Sequence, residues 1–247
     1  TAWIFLKIEL TGMGNPYAQY IMIDEVQDYT ADQLAVLARY FRRANFMLLG
    51  DKNQAIKPNT ASFDEIREVF TRLRGSIEEC HLMTSYRSSP EITSLFASLL
   101  TREEQLHISS IQREQIAPVF LECINEESQL AALASEIKKA REEEGLTAVI
   151  VPWKSQAKKL EALLGKDAPL MISSGSTLPE QGVALITLSL AKGLEFDHVI
   201  IPDASEATFP CEDVSRNRLY TTISRATKRI TLISKGTITP LLHTEQE

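Results

Sequence analysis

The sequence predicts an α/β fold in which parallel sheets are flanked by helices, and three observations predict it. Apolar spacing switches repeatedly between strand-like runs and the helix period of 3.6. The strand-like runs are short and apolar throughout, the form expected of strands buried between helix layers. Two of them stop at acidic residues, in Ile23-Asp24-Glu25 and Leu49-Gly50-Asp51, and in open α/β sheets ligands bind at that C-terminal edge.

The elements follow in order. Tyr20-Ile21-Met22-Ile23 reads as a short buried strand. A helix follows, opened by the capping-box pair Thr30 and Gln33 and striped with Leu34, Leu37, Ala38 and Phe41. Phe46-Met47-Leu48-Leu49 is the next buried strand. A second block begins near residue 76. Ser88, Pro90 and Glu91 start a helix whose buried face is Ile92, Leu95, Phe96 and Leu99. Strands are expected at Val119–Ile124, Thr147–Val151, Val183–Thr187, His198–Ile201 and Ile230–Ile233. Helices are expected at Glu126–Glu144, closed by Gly145, at Lys154–Leu164, closed by Gly165, and over Leu219–Arg225. Gly165–Gly182 is the most loop-rich stretch. The expected domains are therefore 1–75 and 76–247.

Composition narrows the function classes. The 247 residues are 44% hydrophobic and 24% charged, ordinary for a globular protein. No apolar run reaches the ~18 residues of a membrane span, so the expectation is a cytoplasmic protein with no membrane partner. Cys80, Cys123 and Cys211 form neither a disulfide framework nor a zinc pattern, and His81, His107, His198 and His243 are scattered. The net charge is −7. Residues 1–75 hold nine acidic and nine basic residues, so the whole acidic excess lies in 76–247. An acidic surface does not draw in phosphate backbones over long range. Contact with nucleic acid then needs a local groove, and a protein partner is at least as compatible with the charge.

Two motifs carry chemistry. Ile21-Met22-Ile23-Asp24-Glu25-Val26-Gln27-Asp28 ends a strand in adjacent carboxylates, which suits metal–phosphate chemistry. One can hold Mg²⁺ through water while the next orients or deprotonates an attacking water. A lone Asp-Glu pair is more often a solvated strand end; the apolar run followed by Asp-Glu-x-Gln-Asp is more specific. Leu48-Leu49-Gly50-Asp51-Lys52-Asn53-Gln54 follows one helix and one strand later, with a Gly that permits a tight turn and a Gln suited to sensing phosphate or water.

These two motifs resemble the Walker B motif and motif III of the UvrD/Rep group of superfamily 1 helicases. Ser85-Tyr86-Arg87-Ser88 resembles motif IV, and Thr187 through Ala191-Lys192-Gly193-Leu194-Glu195-Phe196-Asp197 resembles motif V. Arg218-Leu219-Tyr220-Thr221-Thr222-Ile223-Ser224-Arg225-Ala226 resembles motif VI. The resemblance implies RecA-like, P-loop NTPase architecture. Residues 1–75 would be the C-terminal remainder of a first motor domain and 76–247 a complete second one. It implies that Asp24 positions Mg²⁺, that Glu25 is the catalytic base, and that Gln54 contacts the γ-phosphate or the water. It implies that Arg87 and Arg225 reach the γ-phosphate, and that Glu195 lies near the nucleotide sugar with Gly193 allowing close backbone approach. The cofactors implied are Mg²⁺ and ATP (or GTP). The small and hydroxylated Thr221, Thr222 and Ser224 are expected to let the helix bearing Arg225 approach another surface closely.

The sequence departs from the family in three places. It contains no Gly-x-x-x-x-Gly-Lys-Ser/Thr run; after Gly12 and Gly14 no Lys-Ser/Thr follows. The phosphate loop is therefore expected upstream of Thr1, and this chain alone is expected not to hydrolyse nucleotide. Thr187-Leu188-Ser189-Leu190 replaces the Thr-Ile-His-Lys common in the family, so no nucleic-acid role is carried over to Ser189 or Leu190. The 99 residues between Arg87 and Thr187 have no room for the large domain that UvrD-like enzymes insert there. The compact spacing and the altered motif V look most like the HelD branch, bacterial RNA polymerase recycling factors. The expected partners are thus nucleic acid (DNA), RNA polymerase, or both, with the rest of the parent chain. The competing class is a non-catalytic motor-like scaffold that docks a protein or nucleic-acid partner.

Overall fold

The computed structural model describes residues 1–82, 84–85, 88–105, 109–110 and 116–242. The chain divides into two units, Thr1–Leu82 and Met83–Glu247.

The first unit contains α1 (Ala2–Thr11), β1 (Tyr20–Ile23), α2 (Ala31–Tyr40), β2 (Asn45–Leu48) and α3 (Phe63–Arg74), with single 3₁₀ turns at Val26–Asp28 and Lys52–Gln54. β1 and β2 pair in parallel, with Tyr20 opposite Asn45 and Ile23 opposite Leu48. The Thr30/Gln33 capping box forms: Thr30 Oγ1 accepts from the Gln33 N–H, and Gln33 Oε1 accepts from the Thr30 N–H. A second box, Ser62 with Glu65, opens α3. Leu34 and Ala38 of α2 meet Ile66 and Phe70 of α3 over Ile23 and Val26.

The strands are not buried on both sides as their apolar composition predicts. Ile23 points into the core with Ile21, Phe46 and Leu48 packed against it. The alternating residues face out, Tyr20 at 77% exposure, Met22 at 66% and Met47 at 52%. The side-chain period of two sends alternate residues to opposite faces, and in this unit only one face is covered. The helix α1 is similar: Ile8 is buried while Trp3, Leu6 and Leu10 are exposed.

The second unit holds β3 (Thr84–Ser85), α4 (Pro90–Ala97), α5 (Arg102–Gln105), β4 (Ser109–Ser110), β5 (Val119–Cys123), α6 (Glu126–Glu142) and β6 (Leu146–Val151). It continues with α7 (Lys154–Leu164), β7 (Leu170–Met171), β8 (Gly182–Thr187), α8 (Leu188–Ala191), β9 (Phe196–Ile201), α9 (Asp213–Ile223) and β10 (Ala226–Lys235). Six strands form one parallel sheet in the order β5-β10-β9-β6-β8-β7. Parallel neighbours need crossovers, and helices supply them on both faces. Leu133, Ile137 and Ala140 of α6 and Ala157 and Leu164 of α7 pack on Val149, Leu185 and Ile200. The alternate residues Ala148, Ile150, Ala184 and Ile186 are just as buried. α4 meets α9 through an edge-to-face pair, Phe96 with Tyr220. The fold is the expected α/β class, with a parallel sheet of the RecA-like kind.

Candidate functional site

In the first unit the two acidic motifs meet at the C-terminal edge of the β1–β2 pair. Past the strands the ladder continues, with the Leu49 N–H donating to Ile23 O and the Val26 N–H to Leu49 O. Asp24 is exposed, and its Oδ1 accepts from the Glu25 N–H at 2.8 Å. Glu25 takes the left-handed conformation, φ 52° and ψ 43°, which costs an L-residue about 1–2 kcal/mol. Such strain persists only where surrounding bonds over-determine it, and it clusters at functional sites. Asp51 Oδ1 accepts from the Asn53 N–H and Oδ2 from Gln54 Nε2 at 3.0 Å. Asp24, Glu25, Asp51 and Gln54 therefore share one edge.

Sequence reasoning gave Gln27 no role of its own. It is fully buried, its Nε2 donates to Glu25 Oε2 at 2.5 Å, and its Oε1 accepts from the Asp51 N–H at 3.2 Å. The signal was its position two residues after Glu25, where the turn carries its side chain back across the motif.

In the second unit three motifs converge on the N-terminal ends of β9 and β10. Ser88 Oγ donates to Ala226 O, and the Ser89 N–H donates to Thr227 O. The Phe196 N–H donates to Arg225 O at 2.9 Å, which brings Glu195 beside Arg225 in the chain path. Gly193 and Glu195 are exposed. Gly193 has φ 79°, and a Cβ there would meet nothing within 4 Å, so the space in front of its backbone is open. Arg87 lies outside the described residues.

Arg225 is drawn inward, at 4% exposure. Its Nε donates to Thr221 O, its Nη1 to Leu194 O at 3.4 Å and its Nη2 to Ser224 Oγ. Thr221 and Thr222 are buried inside the unit with their hydroxyls turned back onto Asn217 O and Arg218 O. A hydroxyl that satisfies a carbonyl of its own helix can be buried without loss, and here both are. At the opposite, C-terminal edge, Val151 pairs with Thr187. Just beyond lies the exposed ring of Trp153, with the Arg218 guanidinium 5.2 Å from its centroid.

Asp197, the last residue of the motif V stretch, has a structural task. Its Oδ2 accepts from the Leu146 N–H and its Oδ1 pairs with Lys228 at 2.9 Å. Both contacts, the backbone one foremost, hold its carboxyl below the usual range. Gly145 lies so close to that carboxylate that a Cβ would sit 2.5 Å from it.

The residues fit the implied Mg²⁺ in a limited way. Among the described residues no three His, Cys, Asp or Glu side chains could hold a metal ion together. Mg²⁺ keeps several waters and takes one or two carboxylates plus substrate phosphates, so a single exposed carboxylate such as Asp24 suits it. The early glycines are committed elsewhere. Gly12 closes α1 at φ 66°, and a Cβ on Gly14 would lie 2.7 Å from Tyr40 O.

Residues 182–233, which span β8 to β10 and hold motifs V and VI, match the UvrD-like helicase C-terminal domain family. A probable DNA helicase of Mycoplasma pneumoniae is 26% identical over 235 residues, covering 87% of this chain. The chain spans 43% of that relative's length. The C-terminal domain of a possible DNA helicase from Lactobacillus plantarum WCFS1 aligns at 27% identity with a TM-score of 0.53, over 64% of this chain and 92% of that one. Saccharomyces cerevisiae Dbp5 bound to RNA and ADP BeF3 aligns at 12% identity and a TM-score of 0.54, over 95% of this chain and 57% of that one, a likeness of fold alone. By these matches the chain is similar to the C-terminal part of UvrD-like helicases.

Proposed function

We propose that the chain is the C-terminal portion of a nucleotide-driven motor that acts on DNA, and that the two acidic motifs of the first unit are part of its hydrolytic site. The observation that carries this is the shared edge: Asp24, Glu25, Asp51 and Gln54 stand together at the ends of two parallel strands. Glu25 takes the proton of the attacking water, and Gln54 orients that water or the γ-phosphate. Arg225 supplies positive charge to the phosphoryl group, whose transition state spreads negative charge over its oxygens. Its guanidinium must first exchange the Leu194 and Ser224 contacts for phosphate oxygens. Asp24 is the residue that would hold Mg²⁺, and the ion would supply positive charge against the phosphate.

The phosphate loop belongs to polypeptide outside these residues. The exposed apolar face of β1 and β2 supports this, because parallel sheets are covered on both faces. The length of the Mycoplasma relative agrees. Isothermal titration of this chain with ATP and Mg²⁺ tests the point: weak binding and no turnover are expected, and submicromolar binding with turnover overturns it. The nucleic-acid partner is DNA, with Trp153 and Arg218 offering a base a stacking face and a cation.

The finer reading is a HelD-like factor that remodels or recycles RNA polymerase. The acidic excess of 76–247 favours a protein partner. Co-purification of the full-length protein with core polymerase in stoichiometric amount is expected. Polymerase-free protein that unwinds duplex DNA contradicts it.

A further inference from the structure

We infer that Gln27 is a positioning residue that locks the Glu25 carboxylate to the second acidic motif, so that the base and the phosphate-side residues move as one piece. The inference rests on the reading of Glu25 as the base.

Four hydrogen-bonded groups run in series across the edge. Gln54 Nε2 donates to Asp51 Oδ2, the Asp51 N–H donates to Gln27 Oε1, and Gln27 Nε2 donates to Glu25 Oε2. The amide of Gln27 is suited to this place because it has a donor and an acceptor at one end of a neutral side chain. A carboxylate in its place would face Glu25 with like charge, and an apolar group would leave the Asp51 N–H without a partner. The relay has no slack. Gln27 is fully buried, and its Oε1 lies so near Gly50 that a Cβ there would stand 2.4 Å from it, with Val26 Cγ1 at 2.8 Å. The glycine of the second motif is therefore required by the side chain of the first.

The geometry has a consequence for Glu25. Its backbone is in the left-handed region, where a glutamate does not rest by preference. The Gln27 contact fixes one carboxylate oxygen from inside the unit. Displacement of Gln54 by a phosphate or water is passed through Asp51 and Gln27 to the base.

The test uses the full-length protein and steady-state ATP hydrolysis with saturating single-stranded DNA. Gln27→Met keeps the side-chain length and removes both polar atoms. It is expected to lower kcat about 10- to 100-fold, with the nucleotide Kd changed less than threefold. In the Glu25→Gln background the same change is expected to cost less than threefold, because a positioning residue has nothing left to position. Where Gln27→Met does not fold, Gln27→Glu carries the test: it retains the acceptor for Asp51 and sets a carboxylate against Glu25, and the same pattern is expected. Wild-type kcat in the Gln27 variant, or a loss of equal size in the Glu25→Gln background, overturns the inference. Undiminished hydrolysis by Glu25→Gln itself overturns instead the assignment of the base.

Discussion

Gly50→Ala tests the packing of the site without touching a group that meets substrate. The added Cβ would stand 2.4 Å from Gln27 Oε1, 2.8 Å from Val26 Cγ1 and 3.3 Å from Phe63 Cζ. Neither of the first two can withdraw freely. Gln27 is hydrogen-bonded through both its amide atoms, and Val26 is in the core of the unit. Overpacking of this kind costs about 1–3 kcal/mol. If Gln27 gives way, the Asp51 N–H loses its acceptor, worth about 0.5–1.5 kcal/mol more. The expected destabilisation of the first unit is therefore about 1.5–4.5 kcal/mol. Urea denaturation followed by circular dichroism reads it, with hydrogen exchange of peptides from residues 20–54 assigning the transition to this unit. Gln27→Ala removes the closer obstacle, so Gly50→Ala made in that background should cost at least about 1 kcal/mol less than alone. A Gly50→Ala protein within 0.5 kcal/mol of wild type would refute the reasoning, and strict additivity in the double variant would show that the two motifs do not press on each other.

Two further outcomes are expected of this chain. Arg74 donates to Phe41 O, Arg42 O and Ala44 O and lies 4.8 Å from the Phe46 ring centroid; Arg74→Met should destabilise the first unit by about 2–3 kcal/mol in urea, and Lys should rescue it poorly because a point charge cannot copy the fork. His198 is buried beside Thr231, and burial, foremost among its influences, holds its pKa below the ordinary value near 6.5. The unfolded chain then takes up the proton first, so stability should fall as pH drops below about 6.5, a slope that His198→Gln removes; a thermal midpoint equally pH-independent in both proteins would contradict this.

Much of the second unit is legible in the sequence because each local signal agrees with the packing. Lys154–Leu164 forms as the periodicity predicts, and the apolar runs at 147–151 and 183–187 become central strands. The first unit is less legible. Its strands are apolar on both sides, which predicts double burial, yet composition does not say whether the covering layer belongs to the same stretch of chain. The helix α3 is legible in the sequence from its capping box, Ser62 and Glu65, and from the apolar stripe of Ile66, Val69, Phe70 and Leu73 opposite a charged face. α1 has no polar face to mark it as amphipathic. At the site, spacing and residue type place Asp24, Glu25, Asp51 and Gln54 correctly at one edge. They do not disclose that Gln27 bridges the motifs or that Arg225 is tucked against Leu194 and Ser224, since both depend on side-chain rotamers within a packed interior.

The most direct test of the central claim is DNA-stimulated ATP hydrolysis by the full-length protein, wild type against Glu25→Gln. The substitution keeps size and hydrogen bonding while removing the proton acceptor, so kcat should fall about 10²- to 10⁴-fold with nucleotide affinity retained. A Glu25→Gln protein that hydrolyses ATP at the wild-type rate would contradict the account.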